Sequence, residues 1–210
     1  MYQLYFSPGA ASLCVHQTLI ELDVPFELIA LDLKAGAQRS AAYLALNPNG
    51  VVPTLLVDGA PVFETAALVM LLAERHPAAA LAPAADAEAR ADYLQWMFHL
   101  ANTLQPAYRH WFYPDEIAGA DNAAGVQDEA RRRVEACFDR IEAHLSGAGP
   151  YMLGTRFSVL DLYVVMLMRW SRNMPKPALQ WSACRALADL VRARPSWTRL
   201  YAAEGLTEWA

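Results

Sequence analysis

The stretch NPNGVVPTLLVDGAPVFETAAL, residues 47–68, decides how the fold is read. Asn47-Pro48-Asn49-Gly50 has turn chemistry throughout. Pro53 follows at the start of an apolar run, where a missing N–H costs no ladder bond and a cis peptide is open to it. Thr54–Val57 and Pro61–Phe63 flank Asp58-Gly59-Ala60, a hairpin signal. Thr65–Arg75 then has Ala66, Val69, Met70 and Ala73 at helical spacing. A proline at 53 exposes the backbone N–H and C=O of Val52 to an extended, peptide-like ligand. At the helix start, Glu64 can take an ammonium, while the Thr65 hydroxyl and the free helix N–H groups take a carboxylate. Singly, Pro53 ends a strand and Thr65 caps a helix. Together they describe a grip on an amino-acid end.

Upstream, Tyr2–Phe6 and Phe26–Leu31 read as strands, with helices over Ser12–Leu22 and Arg39–Leu46. The order βαβαββα predicts a parallel βαβ unit followed by a hairpin and a closing helix. Residues 77–86, within HPAAALAPAAD, form a Pro/Ala linker that separates residues 1–76 from residues 87–210. Everything beyond is helical: Asp86–Leu104, interrupted by Pro106; Ala123–Leu145; and two final helices over Ala183–Ala193 and Trp197–Ala203. Phe157-Ser158-Val159-Leu160-Asp161 opens a further helix with Ser158 as N-cap and Asp161 at the third position. That helix is apolar all round, so it belongs at the centre of the helical part.

The chain has 210 residues, a net charge of -5, 55% hydrophobic residues and 19% charged ones, which is globular and leaves no basic surplus for nucleic acid. Arg131-Arg132-Arg133 sits among Asp128, Glu129 and Glu135 at helical spacing and reads as a salt-bridged, solvated face. No segment has the form of a signal peptide or of a membrane span, so a cytoplasmic protein without membrane contact is expected. Cys14, Cys137 and Cys184 are too scattered for a disulfide framework, and the five histidines lack metal-ligand spacing, so no metal is expected.

Four segments resemble the cytosolic glutathione transferases, and most of all their bacterial beta-like branch. They are Tyr5–Ser12 (YFSPGAAS), Tyr43–Pro53 (YLALNPNGVVP), Glu64–Ala67 (ETAA) and Phe157–Asp161 (FSVLD). The resemblance spans nearly the whole chain. It implies a thioredoxin-like N-terminal domain, an all-helical C-terminal domain, a homodimer, a cis Val52–Pro53 bond, and glutathione as co-substrate. On that footing Glu64 and Thr65 grip the γ-glutamyl end, Val52 pairs with the cysteinyl backbone beside Pro53, and Lys34 and Gln38 reach the glycine carboxylate. Lys34 is equally readable as a solvated lysine on a loop.

Two departures matter. Beta-like members have a cysteine where this chain has Ala11, and often a histidine where it has Gln105. Cys14 is no evident replacement and reads as a buried, inert thiol. A transferase needs no protein nucleophile, because the co-substrate brings its own thiol. Lowering that thiol's pKa by about two units needs about 3 kcal/mol of preference for the thiolate. A hydroxyl donor contributes about 1.5–3 kcal/mol and a helix N-terminus about 0.3–1 kcal/mol. Ser12 is the first choice as donor, with a plain N-cap as its other reading; Ser7 and Tyr5 are the alternatives. His16 reads as a hydrogen-bonded packing residue. In the implied architecture the aromatic segment Gln105–Pro114 would overhang the thiol, and Gln105, Tyr108, Trp111 and Phe112 would line a pocket for a small apolar electrophile, unless the stripe is core or dimer contact. Conjugation is thus the expected reaction. The alternatives are a glutathione-dependent isomerase, dehalogenase or peroxidase, or a binding and interaction module without turnover.

Overall fold

A computed structural model describes residues 1–209. Strands β1 (Tyr2–Phe6), β2 (Phe26–Ala30), β3 (Thr54–Val57) and β4 (Ala60–Phe63) form one sheet in the order β2-β1-β3-β4. β2 runs parallel to β1, and β3 and β4 are antiparallel, so Tyr5 faces Ile29 on one side and Thr54 on the other. Along β1 the alternation is clean: Tyr2, Leu4 and Phe6 are buried while Gln3 and Tyr5 lie on the opposite face. Asp58 and Gly59 both take positive φ (53° and 89°), the twist that suits a two-residue hairpin. The expected order of strands and helices is present.

Helix α1 (Leu13–Glu21) makes the parallel crossover and is buried from Leu13 to Ile20. Helix α2 (Ala41–Leu44) is shorter than the expected Arg39–Leu46. Ser40 is in an extended conformation and accepts the Tyr43 N–H, so the helix starts there. Helix α3 (Thr65–Arg75) buries Thr65, Leu68, Val69, Leu72 and Ala73. That face is rotated from the stripe read at Ala66, Val69, Met70 and Ala73, because so many positions of this helix are apolar that the pattern does not single one out.

The chain divides into two compact units, Met1–Ala82 with Arg192–Ala210, and Pro83–Val191. The sequence reading kept residues 87–210 together. Instead, helix α10 (Pro195–Glu204) packs on α1, whose Gln17 and Glu21 meet Ser196 and Arg194. Buried polar groups on α1 need partners, and the C-terminal segment supplies them.

The second unit contains α4 (Arg90–His99), α5 (Gln105–Phe112), α6 (Asp115–Ala118), α7 (Ala123–Ala148), α8 (Val159–Trp170) and α9 (Ser182–Arg192). A π-helical turn, Leu100–Leu104, joins α4 to α5, and Pro106 falls in the first turn of α5, where its missing N–H is tolerated. Val159 to Arg169 of α8 are all buried. Its capping box is complete: the Ser158 hydroxyl accepts the Leu160 N–H at 3.3 Å, and Asp161 Oδ2 accepts the Ser158 N–H at 2.7 Å. Asp161 Oδ1 also accepts the Met152 N–H at 2.8 Å. On α7 the three arginines pair with Glu129 and Glu135 as the spacing predicts.

Candidate functional site

The site is built on the first unit, and its floor is the loop before β3. The Tyr43 hydroxyl donates to the Val51 carbonyl at 2.7 Å and lies 2.8 Å from the Thr54 hydroxyl. Asn47 Nδ2 donates to the same carbonyl at 2.9 Å, and Asn47 Oδ1 accepts the Asn49 N–H at 3.1 Å. Tyr43, Asn47 and Thr54 are all buried, so this cluster fixes the loop from within. Burial raises the Tyr43 hydroxyl's pKa above the ordinary tyrosine value, which keeps it a donor. Above the cluster, the Val52–Pro53 peptide is cis. Among the described residues, the N–H and C=O of Val52 have no backbone partner. They remain open to an extended chain laid along the loop.

Next to it stands Glu64, exposed, at φ 77° and ψ 112°. Such a backbone costs a non-glycine residue about 1–3 kcal/mol and marks functional sites. It leads into α3, where Leu68 is the first N–H to bond back along the helix, to Glu64 O. The N–H groups of Thr65, Ala66 and Ala67 are therefore left at a helix N-terminus, a setting for an anion. Thr65 Oγ1 donates to the Ala11 carbonyl at 3.3 Å, tying this helix start to the turn after β1.

That turn corrects one expectation. Ser12 is wholly buried, and its hydroxyl donates to Ser7 O and accepts Ser7 N–H, both at 3.3 Å. It neither caps α1 nor faces outward, because the loop closes on itself and uses the hydroxyl as its clasp. Ser7 is half-buried, and among the described residues its own hydroxyl makes no hydrogen bond. The N–H groups of Ala11 and Ser12 also have no backbone acceptor. Tyr5 packs its ring against Tyr43 at 5.5 Å, over the loop before β3. Burial pushes the Cys14 thiol's pKa far up, which leaves it protonated and inert.

The arrangement is a set of open backbone groups, an exposed carboxylate and a helix start around one turn. It has known counterparts. Residues 2–74 match the glutathione S-transferase N-terminal domain, and residues 124–203 match the glutathione S-transferase C-terminal domain. Glutathione S-transferase GST-4.5 of Xanthomonas campestris is 30% identical, over 97% of this chain and 99% of its own. The chain belongs to the cytosolic glutathione transferase family. A Sulfitobacter glutathione transferase homologue solved with bound glutathione is 28% identical, covers 99% of both chains and superposes with a TM-score of 0.91. A beta-class glutathione S-transferase of Sphingomonas chungbukensis, 27% identical, gives a TM-score of 0.85 over 98% of this chain and all of its own.

In this glutathione transferase Lys34 is exposed on a loop shaped by Asp32, whose carboxylate accepts the Lys34 and Ala35 N–H groups at 2.9 and 3.0 Å. Gln38 Nε2 donates to the Leu33 carbonyl at 3.3 Å, so the side chain is drawn back onto its own loop. No group of three or more His, Cys, Asp or Glu side chains that could hold a metal ion occurs among the described residues.

In the helical unit the four aromatic-segment candidates separate. Tyr108 is fully buried, 5.9 Å from Phe112 in a stacked pair and 5.5 Å edge-on to Trp170, so it is core and offers no face to a substrate. Gln105 Oε1 accepts the Tyr163 hydroxyl in a short hydrogen bond and is occupied within the unit. Trp111 is half-buried and Phe112 is 46% exposed, which leaves these two to meet a ligand.

The sequence reading passed over Tyr43, Asn47 and Thr54, although all three lie in or beside the decisive motif. Their polarity among apolar neighbours is the signal that could have found them. Glu204 was also missed. It bonds to Gly9 across 195 residues, and no local pattern announces that.

Proposed function

We propose that this glutathione transferase conjugates the glutathione thiolate to small apolar electrophiles. Glu64 takes the γ-glutamyl ammonium, and Thr65 with the α3 N–H groups takes its carboxylate. Val52 pairs with the cysteinyl backbone beside Pro53, and Lys34 serves the glycine carboxylate with Gln38 beside it. The thiol then lies at the Ser7–Ser12 turn. The observation that carries this reading is the Thr65 hydroxyl bond to the Ala11 carbonyl, which joins the grip to the turn.

The chain's own part in catalysis is to favour thiolate over thiol and to hold it for attack. Ser7 is the hydroxyl donor in this reading, because Ser12 is committed to the Ser7 backbone. The Ala11 and Ser12 N–H groups at the α1 N-terminus add their partial charge. Trp111 and Phe112 receive the electrophile. The protein works as a homodimer in the cytoplasm, where free buried thiols such as Cys14, Cys137 and Cys184 persist.

Retention on immobilised glutathione, followed by conjugation assays with aryl halides and epoxides, tests the scheme. No retention overturns it. A second reading, a glutathione-binding module without turnover, draws on Ala11 and the enclosed Ser12 hydroxyl, and retention without any conjugation would select it.

A further inference from the structure

The turn after β1 is held from beneath by the far end of the chain. Glu204, the last residue of α10, accepts the Gly9 N–H through Oε2 and the His16 Nδ1–H through Oε1, each at 2.8 Å. The His16 and Glu204 side chains are 1% and 0% exposed. The His16 ring is fixed between Phe6 and Phe26, with centroids 6.0 and 5.5 Å away. One carboxylate thus has one oxygen on the turn and the other on α1. Gly9 sits at φ 69°, a conformation glycine adopts freely, which directs its N–H to Glu204. Ala10 N–H closes the same turn onto Ser7 O at 3.1 Å. A buried carboxylate that lacked partners would be costly, so the pairing with Gly9 and His16 is strongly enforced. Among the described residues, the titratable groups that face Glu204 are His16 and Cys14, both on α1. The Cys14 thiol stays protonated.

We infer that Glu204 is a positioning residue for the glutathione thiol. By holding Gly9 and His16 it sets the direction of the Ser7 hydroxyl and of the free Ala11 and Ser12 N–H groups. The inference rests on the reading that the Ser7–Ser12 turn receives the thiol. It assigns to the C-terminal segment a part in tuning the reactive sulfur, although Glu204 touches neither co-substrate nor electrophile.

Glu204→Ala removes both contacts. Glu204→Gln keeps the Gly9 contact through its amide oxygen and reaches an unprotonated His16 Nδ1 through its amide N–H. The readout is thiolate absorbance against pH in the glutathione complex of the full-length protein, with kcat and KM for aryl-halide conjugation alongside. In Glu204→Ala the pKa of the bound thiol rises by about one unit and kcat near neutral pH falls about tenfold. KM for glutathione, governed by Glu64, Thr65 and Val52, moves by less than about twofold. Glu204→Gln recovers most of the loss. Should Glu204→Ala fail to fold, Glu204→Asp, one methylene too short for both contacts, shows the same shift.

An Ala or Asp variant whose bound thiol titrates like the wild type overturns the proposal and leaves the reading of the turn intact. So does a Glu204→Gln loss as large as that of Glu204→Ala. A wild type whose bound thiol titrates like free glutathione overturns both the reading of the turn and the proposal.

Discussion

Thr65, the first residue of α3, donates its hydroxyl to the carbonyl of Ala11, 3.3 Å away and 54 residues earlier in the chain. This bond joins the two halves of the glutathione site. The helix start that grips one end of the tripeptide and the turn proposed to receive its thiol move as one body.

Replacing Thr65 by Val keeps the β-branched volume and removes the hydroxyl. Titration calorimetry is expected to show glutathione binding weakened by about 1.5–3 kcal/mol, roughly 10- to 150-fold, the usual worth of a hydrogen bond to a charged group. Thr65→Ser restores most of the affinity. Equal binding by Val and Thr would remove the hydroxyl from the grip.

The two serines of the turn separate by what they change. Ser12→Ala removes the clasp on the Ser7 backbone and is expected to lower stability by about 1 kcal/mol, read from the denaturant midpoint. Ser7→Ala leaves stability close to wild type and raises the pKa of bound glutathione by about one unit or more, read from thiolate absorbance. The reverse pattern would return the donor's role to Ser12.

Asp161 is buried beneath the start of α8. Burial raises its carboxyl from 3.8 to about 7, against the pull of the Met152 and Ser158 N–H groups. A carboxyl raised in the folded state binds its proton more tightly there than in the unfolded chain. Its contribution to stability is therefore fully present below about pH 4 and lost as pH rises through about 7. Asp161→Asn is expected to flatten that fall in the melting temperature. Asp161→Ala, which leaves two buried N–H groups unserved, costs about 2–4 kcal/mol.

Glu21 titrates in the opposite sense. Burial alone would raise it, but hydrogen bonds from Arg194 and Ser196 and the arginine's charge hold it below 4.5. Arg194 grips it with two bonds of 2.6 and 2.7 Å. A carboxylate depressed in the folded state contributes stability above its unfolded value of about 4.3, and that stability is lost as pH falls through the depressed one. Glu21→Gln is expected to remove this acid-side loss, and to make α10 exchange its amide hydrogens faster at neutral pH because its tie to α1 is weakened. Unchanged exchange in α10 would show that other contacts hold it.

What the sequence determined by itself is whatever a few neighbouring residues decide. Asp58-Gly59 sets a hairpin because two successive positive φ angles are cheap there. Ser158 and Asp161 cap a helix because three residues bring their side chains to each other's N–H groups. The NPNGVVP and ET motifs located the glutathione grip for the same reason, since its backbone groups and its carboxylate lie within one loop and one helix start. The tertiary structure alone decided which hydroxyl of the turn is spent, that Tyr108 is core while Phe112 is exposed, and that α10 belongs with the first unit. A serine's partner, an aromatic's burial and the docking of Glu204 beneath Gly9 depend on packing between segments far apart in the chain. Periodicity and turn chemistry report only which residues can be buried or bonded, and the packed fold selects among them.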